Sequence, residues 1–281
     1  MQRSYARTDL AAEASARLET PVEGVSSEEL TVRGCRVSKV EITSPAGADA
    51  IGKPEGKYLT IEMEEYVSRR ALSFSDCANA LAELLRGFDA VSNSKSFMIA
   101  CLGNRSVAPD AVGPATADSL IVTRHLKDSL PEDFAAFSSV AVLRTGVLGT
   151  TGVESAQTVR SMCELVQPDC VIAVDALASG EIGRLCRNIQ ICDTGISPGS
   201  GVGNDRAEIN EAYLGCPVIA VGVPTVADAS ALCDDEGAEC LFVTPRNIDE
   251  LVKSAAKLIA YGIDLALHDG LTIADIDALI E

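Results

Sequence analysis

The sequence predicts an α/β protein, a three-layer α/β/α sandwich with a mostly parallel sheet and an N-terminal β-rich extension. Short, continuous apolar runs at 97–102, 140–143, 170–174 and 217–221 are typical of strands buried on both faces of a parallel sheet. Helical patterns separate these runs, and this alternation favours a sheet that lies between helix layers. Hydrophobic residues make up 47% of the chain and aromatic residues only 4%. The predicted core therefore consists mainly of Ala, Val, Ile and Leu.

The N-terminal third predicts elements of another kind. Helix-like spacing at 10–18 comes first in an otherwise polar and acidic stretch. Residues 35–43 and 58–63 then alternate apolar and polar side chains, as half-exposed strands do. Ser73 or Ser75 is suited to cap a helix rich in Ala and Leu, because a serine oxygen accepts a hydrogen bond from the first helical turn. This helix leads into the first apolar run.

From the first apolar run onward, strands and helices alternate. Pro114 suits the first turn of a helix that continues through Leu120 and Leu126. The further predicted elements are helices at 154–166, 207–214, 248–268 and 273–280, and a short strand at 188–192.

Charge and cysteine content exclude several classes of protein. The formal net charge is -18, which disfavours binding to nucleic acid or to anionic membranes, since both need basic patches. Ten cysteines are present, and none is paired in C-x-x-C spacing. No apolar stretch resembles a signal peptide or reaches the length of a membrane-spanning helix. We therefore expect a protein of the reducing cytoplasm with free thiols.

Two aspartates follow two of the apolar runs. Asp110 lies in a Gly- and Pro-marked loop after the run 97–102, and Asp175 directly follows the run 170–174. Chemistry in open α/β sheets gathers outside the carboxyl ends of parallel strands, so both carboxylates are candidates for one site. Two interacting acids can divide the roles of general acid and general base. A turn role for Asp110 and a helix-cap role for Asp175 remain open at this point.

A glycine-rich loop at 199–204 is the other candidate for function. Glycines let a backbone approach a ligand and present N–H groups to it, so this loop predicts a site wall, a phosphate- or nucleotide-binding module, or a plain connection. The neighbouring G-x-S-x-G pattern around Ser197 lacks the helix that a nucleophile elbow requires. His and Cys residues show no metal-ligand spacing, so we predict neither a metal nor a cofactor.

The motifs together resemble those of the germination protease family. The resemblance runs through most of the chain, in blocks that keep the family's order. The matching blocks are 7–13, 40–43, 50–53, 102–104, 109–114, 151–155, 171–178, 189–195, 198–204 and 217–226.

This resemblance implies an endopeptidase that begins the degradation of small acid-soluble spore proteins during germination. It implies a spore-core location, a homotetramer, and a fold similar to that of hydrogenase maturation proteases. Family members are made as inactive zymogens that remove their own propeptide. The family's catalytic aspartates fall on Asp110 and Asp175. The segment around Asp9 and Leu10 is similar to the family's cleavage sites, so we predict a propeptide at 1–9 and one protease domain at 10–281.

A mechanism follows from the pair of carboxylates. One of them, ionised, takes a proton from water, and the other, protonated, donates to the scissile carbonyl. Backbone N–H groups of the glycine-rich loop are hypothesised to stabilise the oxyanion; the loop residues concerned are Gly199, Ser200, Gly201, Gly203 and Asn204.

One departure from the family bears on an alternative mechanism. Ser197 stands where the resemblance implies a histidine. The alternative function is a metal-dependent maturation-type protease, which would need a histidine at this position as a metal ligand. The segment 231–242 is also shorter than the insertion that relatives carry there, which bears on contacts between subunits.

Overall fold

The computed structural model describes residues 7–67, 72–199, 207–229 and 241–280. The strands are β1 Val25–Val32, β2 Cys35–Ile42, β3 Gly56–Glu62, β4 Ser96–Leu102, β5 Ser139–Gly146, β6 Cys170–Ser179, β7 Asn188–Cys192, β8 Val218–Asp228 and β9 Phe242–Val243. The helices are α1 Ala11–Ala16, α2 Pro45–Ile51, α3 Glu64–Val67, α4 Phe74–Arg86, α5 Asp89–Ser92, α6 Val112–Thr116, α7 Arg124–Ser129, α8 Leu148–Thr151, α9 Ser155–Val166, α10 Glu211–Leu214, α11 Ile248–Leu267 and α12 Ile273–Ile280, and single 3₁₀ turns lie at Ala108–Asp110 and Ile182–Arg184.

The centre of the sheet is parallel, as the apolar runs predict. Its strands lie in the order β5-β4-β6-β8, and each neighbouring pair in this order is parallel. Alternate residues of β4 enter different cores: Phe97 and Ile99 pack towards α4 and α11, whereas Met98 and Ala100 pack towards α9. Both faces of these strands are covered, which explains why they read as unbroken apolar runs. The predicted three-layer α/β/α fold class is confirmed.

The β-rich extension joins this centre through β7. The strands β1, β2, β3, β7 and β8 pair in that order, each pair antiparallel. The two strands expected from alternation are present as β2 and β3. The expectation that they are half-exposed is wrong for β3, because Leu59 and Ile61 pack into one core and Tyr58 into another. The sequence did not predict β1, because most of its side chains are exposed and no apolar alternation marks it.

The strands predicted at 140–143 and 217–221 continue to Gly146 and Asp228, and three further predicted elements differ from the structure. The strand that begins at 170 continues to Ser179 because it pairs with β8 as far as that residue. The helix that begins near Pro114 is interrupted after α6, where Thr123 Oγ1 donates to the Ser138 carbonyl, 2.6 Å away. The helix expected over 207–214 is only the short α10, since Asn210 caps it by accepting from Tyr213 N.

The capping serine of α4 is now assigned. Ser73 Oγ accepts from Asp76 N at 3.2 Å, and Asp76 in turn accepts from Ser73 N at 2.9 Å. This reciprocal pair is a capping box, which satisfies two N–H groups at the helix start.

The chain reverses direction around β4, and this places the site. After β4 the chain passes through α6 to β5 on one side, and after β5 it passes through α9 to β6 on the other side of β4. The two crossings use opposite faces of the sheet, because α6 packs into the core with α11 and α9 packs into the other core. A crevice forms at the carboxyl ends of β4 and β6, where open α/β sheets bind ligands.

The longest described helix, α11, lies buried against α4 and α6. No described helix combines the length and apolar character that would let it cross a membrane. Asp264 lies on the buried side of α11, and its two carboxylate oxygens are each 3.2 Å from the Ile121 N–H that donates to them. Burial raises the pKa of this carboxyl well above its usual value, and the Ile121 bond opposes the rise.

We expect Asp264→Asn to stabilise the fold at neutral pH by about 1–2 kcal/mol. A carboxyl with a raised pKa in the fold contributes its full stability below the unfolded pKa of about 4, and loses it as the pH rises through the folded pKa. Asparagine does not ionise, and its oxygen still accepts from Ile121 N. Urea unfolding at pH 4 and pH 7 tests this. The exposed Asp269→Asn serves as the control; equal effects of both substitutions at both pH values would contradict the account.

Candidate functional site

A cavity of about 680 Å³ lies at the carboxyl ends of β4 and β6. The turn after β4, the second half of β6, the strand β7 and the N-terminal segment at 7–9 contribute to its wall. A volume of this size suits a small ligand or several residues of an extended peptide. Asp110 and Asp175 both line it, so the structure brings the two predicted residues to one cavity.

Asp110 is held by a tight turn. Asn104 N donates to Asp110 Oδ2 at 2.9 Å and to the Asp110 carbonyl oxygen at 3.0 Å. Gly103 adopts a φ of 106°, and a Cβ there would lie 2.1 Å from the Asp110 carbonyl oxygen. A Cβ on Gly113 would lie 2.2 Å from the Leu102 carbonyl oxygen and 2.7 Å from that of Val174. The turn therefore reaches its position only because glycine allows close contact with β4 and β6.

Asp175 lies within β6 and not after its end, contrary to the sequence-based expectation. The pairing of β4 with β6 ends at Val174, so Asp175 is the first residue of β6 beyond that pairing. Its side chain is 5% exposed, and its Oδ1 accepts from Ala176 N at 2.9 Å. On the other side β6 continues beside β8, where Asp175 pairs with Gly222. The carboxylate is thus fixed by the strand itself.

The predicted cleavage segment lies in the same cavity. Asp9 N donates to the Ala178 carbonyl oxygen at 2.9 Å, and Ala178 N donates to Asp9 Oδ2 at 2.8 Å. Leu10 has extended backbone angles, and its side chain is completely buried. The chain at Asp9 and Leu10 therefore runs along the second half of β6, three residues from Asp175.

A buried carboxylate anchors the residues that follow. Glu13 accepts hydrogen bonds from Ser179 Oγ and from Gly180 N, the latter at 2.7 Å. It also forms ion pairs with Arg17 and Arg184, at 3.7 and 3.5 Å. Because Ser179 is the last residue of β6, these contacts fix α1 to the end of the strand that carries Asp175.

Two further polar side chains touch the N-terminal segment and were not singled out from the sequence. Gln190 on β7 donates from Nε2 to the Asp9 carbonyl oxygen at 2.9 Å and accepts from Ala11 N at 2.7 Å. Lys53 Nζ lies 3.5 Å from the Thr8 carbonyl oxygen. Burial lowers the pKa of Lys53, and the nearby Asp9 carboxylate opposes this shift. The only sequence signal for Gln190 is its polarity within an otherwise mostly apolar strand.

The glycine-rich loop is described only at its start. Gly199 lines the cavity, as does Ser197. The other hypothesised oxyanion donors lie outside the described residues: Ser200, Gly201, Gly203 and Asn204.

The described lining favours carboxylate chemistry. Asp9, Asp110 and Asp175 face the cavity, whereas no histidine is among its described lining residues. Cys192 also lines it, but burial raises the pKa of this thiol, which disfavours a thiolate nucleophile. Within the described ranges, no group of three or more His, Cys, Asp and Glu side chains is arranged to hold a metal ion.

Comparison with known proteins gives consistent matches. A family model described as germination protease matches residues 6–238. A germination protease of Clostridium perfringens is 36% identical over 98% of this chain and 98% of its own. Those of Caldanaerobacter subterraneus and a Geobacillus species are 37% and 42% identical, covering 98% and 82% of this chain and 98% and 65% of their own.

Among the solved structures that match is the [NiFe] hydrogenase maturation protease HycI from Thermococcus kodakarensis. It is 22% identical and covers 62% of this chain and 96% of its own, with a TM-score of 0.38.

Proposed function

This chain belongs to the germination protease family and is a peptidase, and we propose that it is an endopeptidase that uses Asp110 and Asp175 to activate water. The observation that carries the proposal is that both aspartates line the cavity whose wall also includes Asp9, the first residue of the predicted scissile bond. Two carboxylates in one site resist double ionisation, so one is ionised and the other protonated.

The roles of the two carboxylates follow from that shared proton. The ionised carboxylate takes a proton from water as the water oxygen adds to the scissile carbonyl carbon. The protonated carboxyl holds the scissile carbonyl oxygen by a hydrogen bond as the water adds. It then donates its proton to the nitrogen that leaves, since an amine anion is too basic to depart without a proton. No cysteine or histidine of the described lining is needed for either step.

We propose further that the full-length chain is a zymogen with residues 1–9 as its propeptide and 10–281 as its protease domain. The segment that ends in Asp9 occupies the wall of the cavity, where it pairs with Ala178. Such a position blocks access by other peptides until the Asp9–Leu10 bond is cut. In the uncut chain, Glu13 holds the helix that follows this bond through its contacts with Ser179 and Gly180.

We expect the processed protein to begin at Leu10, and Asp9→Ala to slow processing by about 10–100-fold. The alanine variant loses the charge-assisted bond from Ala178 N to the carboxylate, and such bonds contribute about 1.5–3 kcal/mol. N-terminal sequencing over a time course measures both the site and the rate. Glu19→Ala changes an exposed acid nearby and serves as the control. A processed chain that begins at another residue would contradict cleavage between Asp9 and Leu10.

The proposed substrates are small acid-soluble spore proteins, degraded in the spore core during germination, and the proposed assembly is a homotetramer. The support for these finer statements is membership of the family together with a cavity whose wall includes the N-terminal segment that ends in Asp9. Digestion of a purified spore protein and light scattering of the purified chain test them separately. An undigested substrate would count against the first, and a monomeric mass against the second.

A further inference from the structure

Gln190 shares a row of the sheet with Asp175. Gly222 on β8 pairs with Asp175 on one side and with Gln190 on the other. Directly paired residues face the same side of a sheet, and two strand spacings place the backbones of Asp175 and Gln190 about 10 Å apart. Gly222 carries no side chain, and the Leu177 side chain lies over it, between the two polar groups that line the cavity.

The Gln190 amide spans the predicted scissile bond. Its Nε2 is 2.9 Å from the Asp9 carbonyl oxygen, and its Oε1 is 2.7 Å from Ala11 N. A carbonyl oxygen only accepts and a backbone N–H only donates, so these two partners fix which end of the amide faces which. The N–H group therefore points at the carbonyl oxygen of the Asp9–Leu10 bond.

The position of that carbonyl is fixed independently of Gln190. Asp9 is paired with Ala178 through both its backbone N–H and its carboxylate. Leu10 beyond it is completely buried, and its N–H donates to Thr8 Oγ1 at 3.0 Å. Gln190 is itself only 6% exposed, so its amide is oriented before any reaction begins. Preorganised donors at a developing negative charge are a principal source of catalysis.

We infer that Gln190 is a catalytic residue whose amide stabilises the oxyanion formed at the scissile carbonyl. This inference rests on the proposed function and on cleavage between Asp9 and Leu10. Water adds to the Asp9 carbonyl carbon, a carboxylate takes the water proton, and the C=O electron pair moves to the oxygen that Gln190 Nε2 faces. The carbonyl then re-forms, the C–N bond breaks, and the Leu10 nitrogen leaves with a proton from the protonated carboxyl.

The same amide serves substrates that bind after processing. A substrate segment that occupies the place of Asp9 and Leu10 presents its scissile carbonyl to Nε2 and the N–H of its second following residue to Oε1. Gln190 therefore supplies an oxyanion donor from the described part of the chain, whether or not the glycine-rich loop supplies others.

The test compares Gln190→Met, which is of similar length but has no N–H, with Gln190→Glu, which keeps the acceptor. Gln157→Met, an exposed change on α9, is the control. Self-cleavage of each full-length chain is followed to completion, and kcat and KM of the processed forms are then measured on a peptide that repeats residues 5–14. We expect kcat to fall about 10²–10³-fold in both variants, with a smaller change in KM.

The pH dependence of kcat in the Gln190→Glu variant is a second test of the donor role. A protonated glutamic acid has an O–H donor again, so the loss of kcat in Gln190→Glu becomes smaller as the pH falls. The loss of kcat in Gln190→Met does not change in this way, because methionine has no donor at any pH. If Gln190→Met does not fold, as judged by thermal melting, Gln190→Glu decides the question.

The outcomes separate the inference from the proposed function. An unchanged kcat in the Gln190 variants, or a loss confined to KM, overturns the catalytic role and leaves the two-aspartate peptidase intact. A wild-type chain that cuts neither itself nor the peptide overturns both.

Discussion

Peptide cleavage is expected to fall about 10²–10⁴-fold when either Asp110 or Asp175 is replaced by asparagine. Asparagine keeps the shape and the acceptor oxygen, so the bonds from Asn104 N and Ala176 N can persist in the variants. What is lost is the ability to take up or donate a proton. The measurement is the initial rate of cleavage of a peptide that carries an acidic residue followed by Leu-Ala.

The exposed Asp49→Asn is the matched control, since it removes one carboxylate that does not line the cavity. A chelator arm separates this mechanism from the metal-dependent alternative, because the paired-carboxylate mechanism predicts an unchanged rate with chelator present. Full activity in either active-site variant would remove that aspartate from the chemistry.

Gly113→Ala is expected to lower the cleavage rate by about 10²-fold or more and to cost about 1–3 kcal/mol of stability. The new Cβ would meet backbone atoms of Leu102 at 2.2 and 2.5 Å and of Val174 at 2.7 Å. Backbone in two paired strands cannot shift easily, so α6 must move away from the sheet. Asp110 lies two residues before the start of this helix and moves with it. Cleavage rates and urea unfolding together measure the effect.

The control is Gly183→Ala, where the added Cβ would meet nothing within 4 Å. We expect it to change neither the cleavage rate nor the stability to urea appreciably. If Gly113→Ala matched this control in rate and stability, the close packing of α6 on β4 and β6 would not be what positions Asp110.

The parallel centre of the fold was predictable because a strand that is buried on both faces has a continuous run of apolar residues. The run at 97–102 contains only apolar residues, and it is found almost unchanged as β4. The turn to Asp110 was equally visible, since its glycines and prolines mark a loop. The exposed β1 has no apolar pattern that would predict it, because its pairing with β2 is made through backbone groups.

The positions of the two aspartates were predictable to the level of a shared cavity. The strand that carries Asp175 nevertheless extends four residues beyond it, and a local reading of the sequence cannot detect a partner such as β8. Pairing of distant segments decided this, whereas the short length of α10 follows from the local cap at Asn210.

The role of Gln190 could not be predicted from the sequence. Its contacts with Asp9 and Ala11 join residues about 180 positions apart, through a strand order that no local pattern encodes. A glutamine between two isoleucines predicts only a polar interruption in a short strand. The row that Gln190, Gly222 and Asp175 form exists only once β7, β8 and β6 are paired.

The central claim is that the two aspartates cut the bond held in their own cavity. The most direct measurement is the intact mass of the purified full-length chain over time, beside Asp110→Asn and Asp175→Asn. The account predicts that the wild-type chain loses residues 1–9 as one step while both variants keep their full mass. Loss of that segment at the wild-type rate in either variant would contradict it.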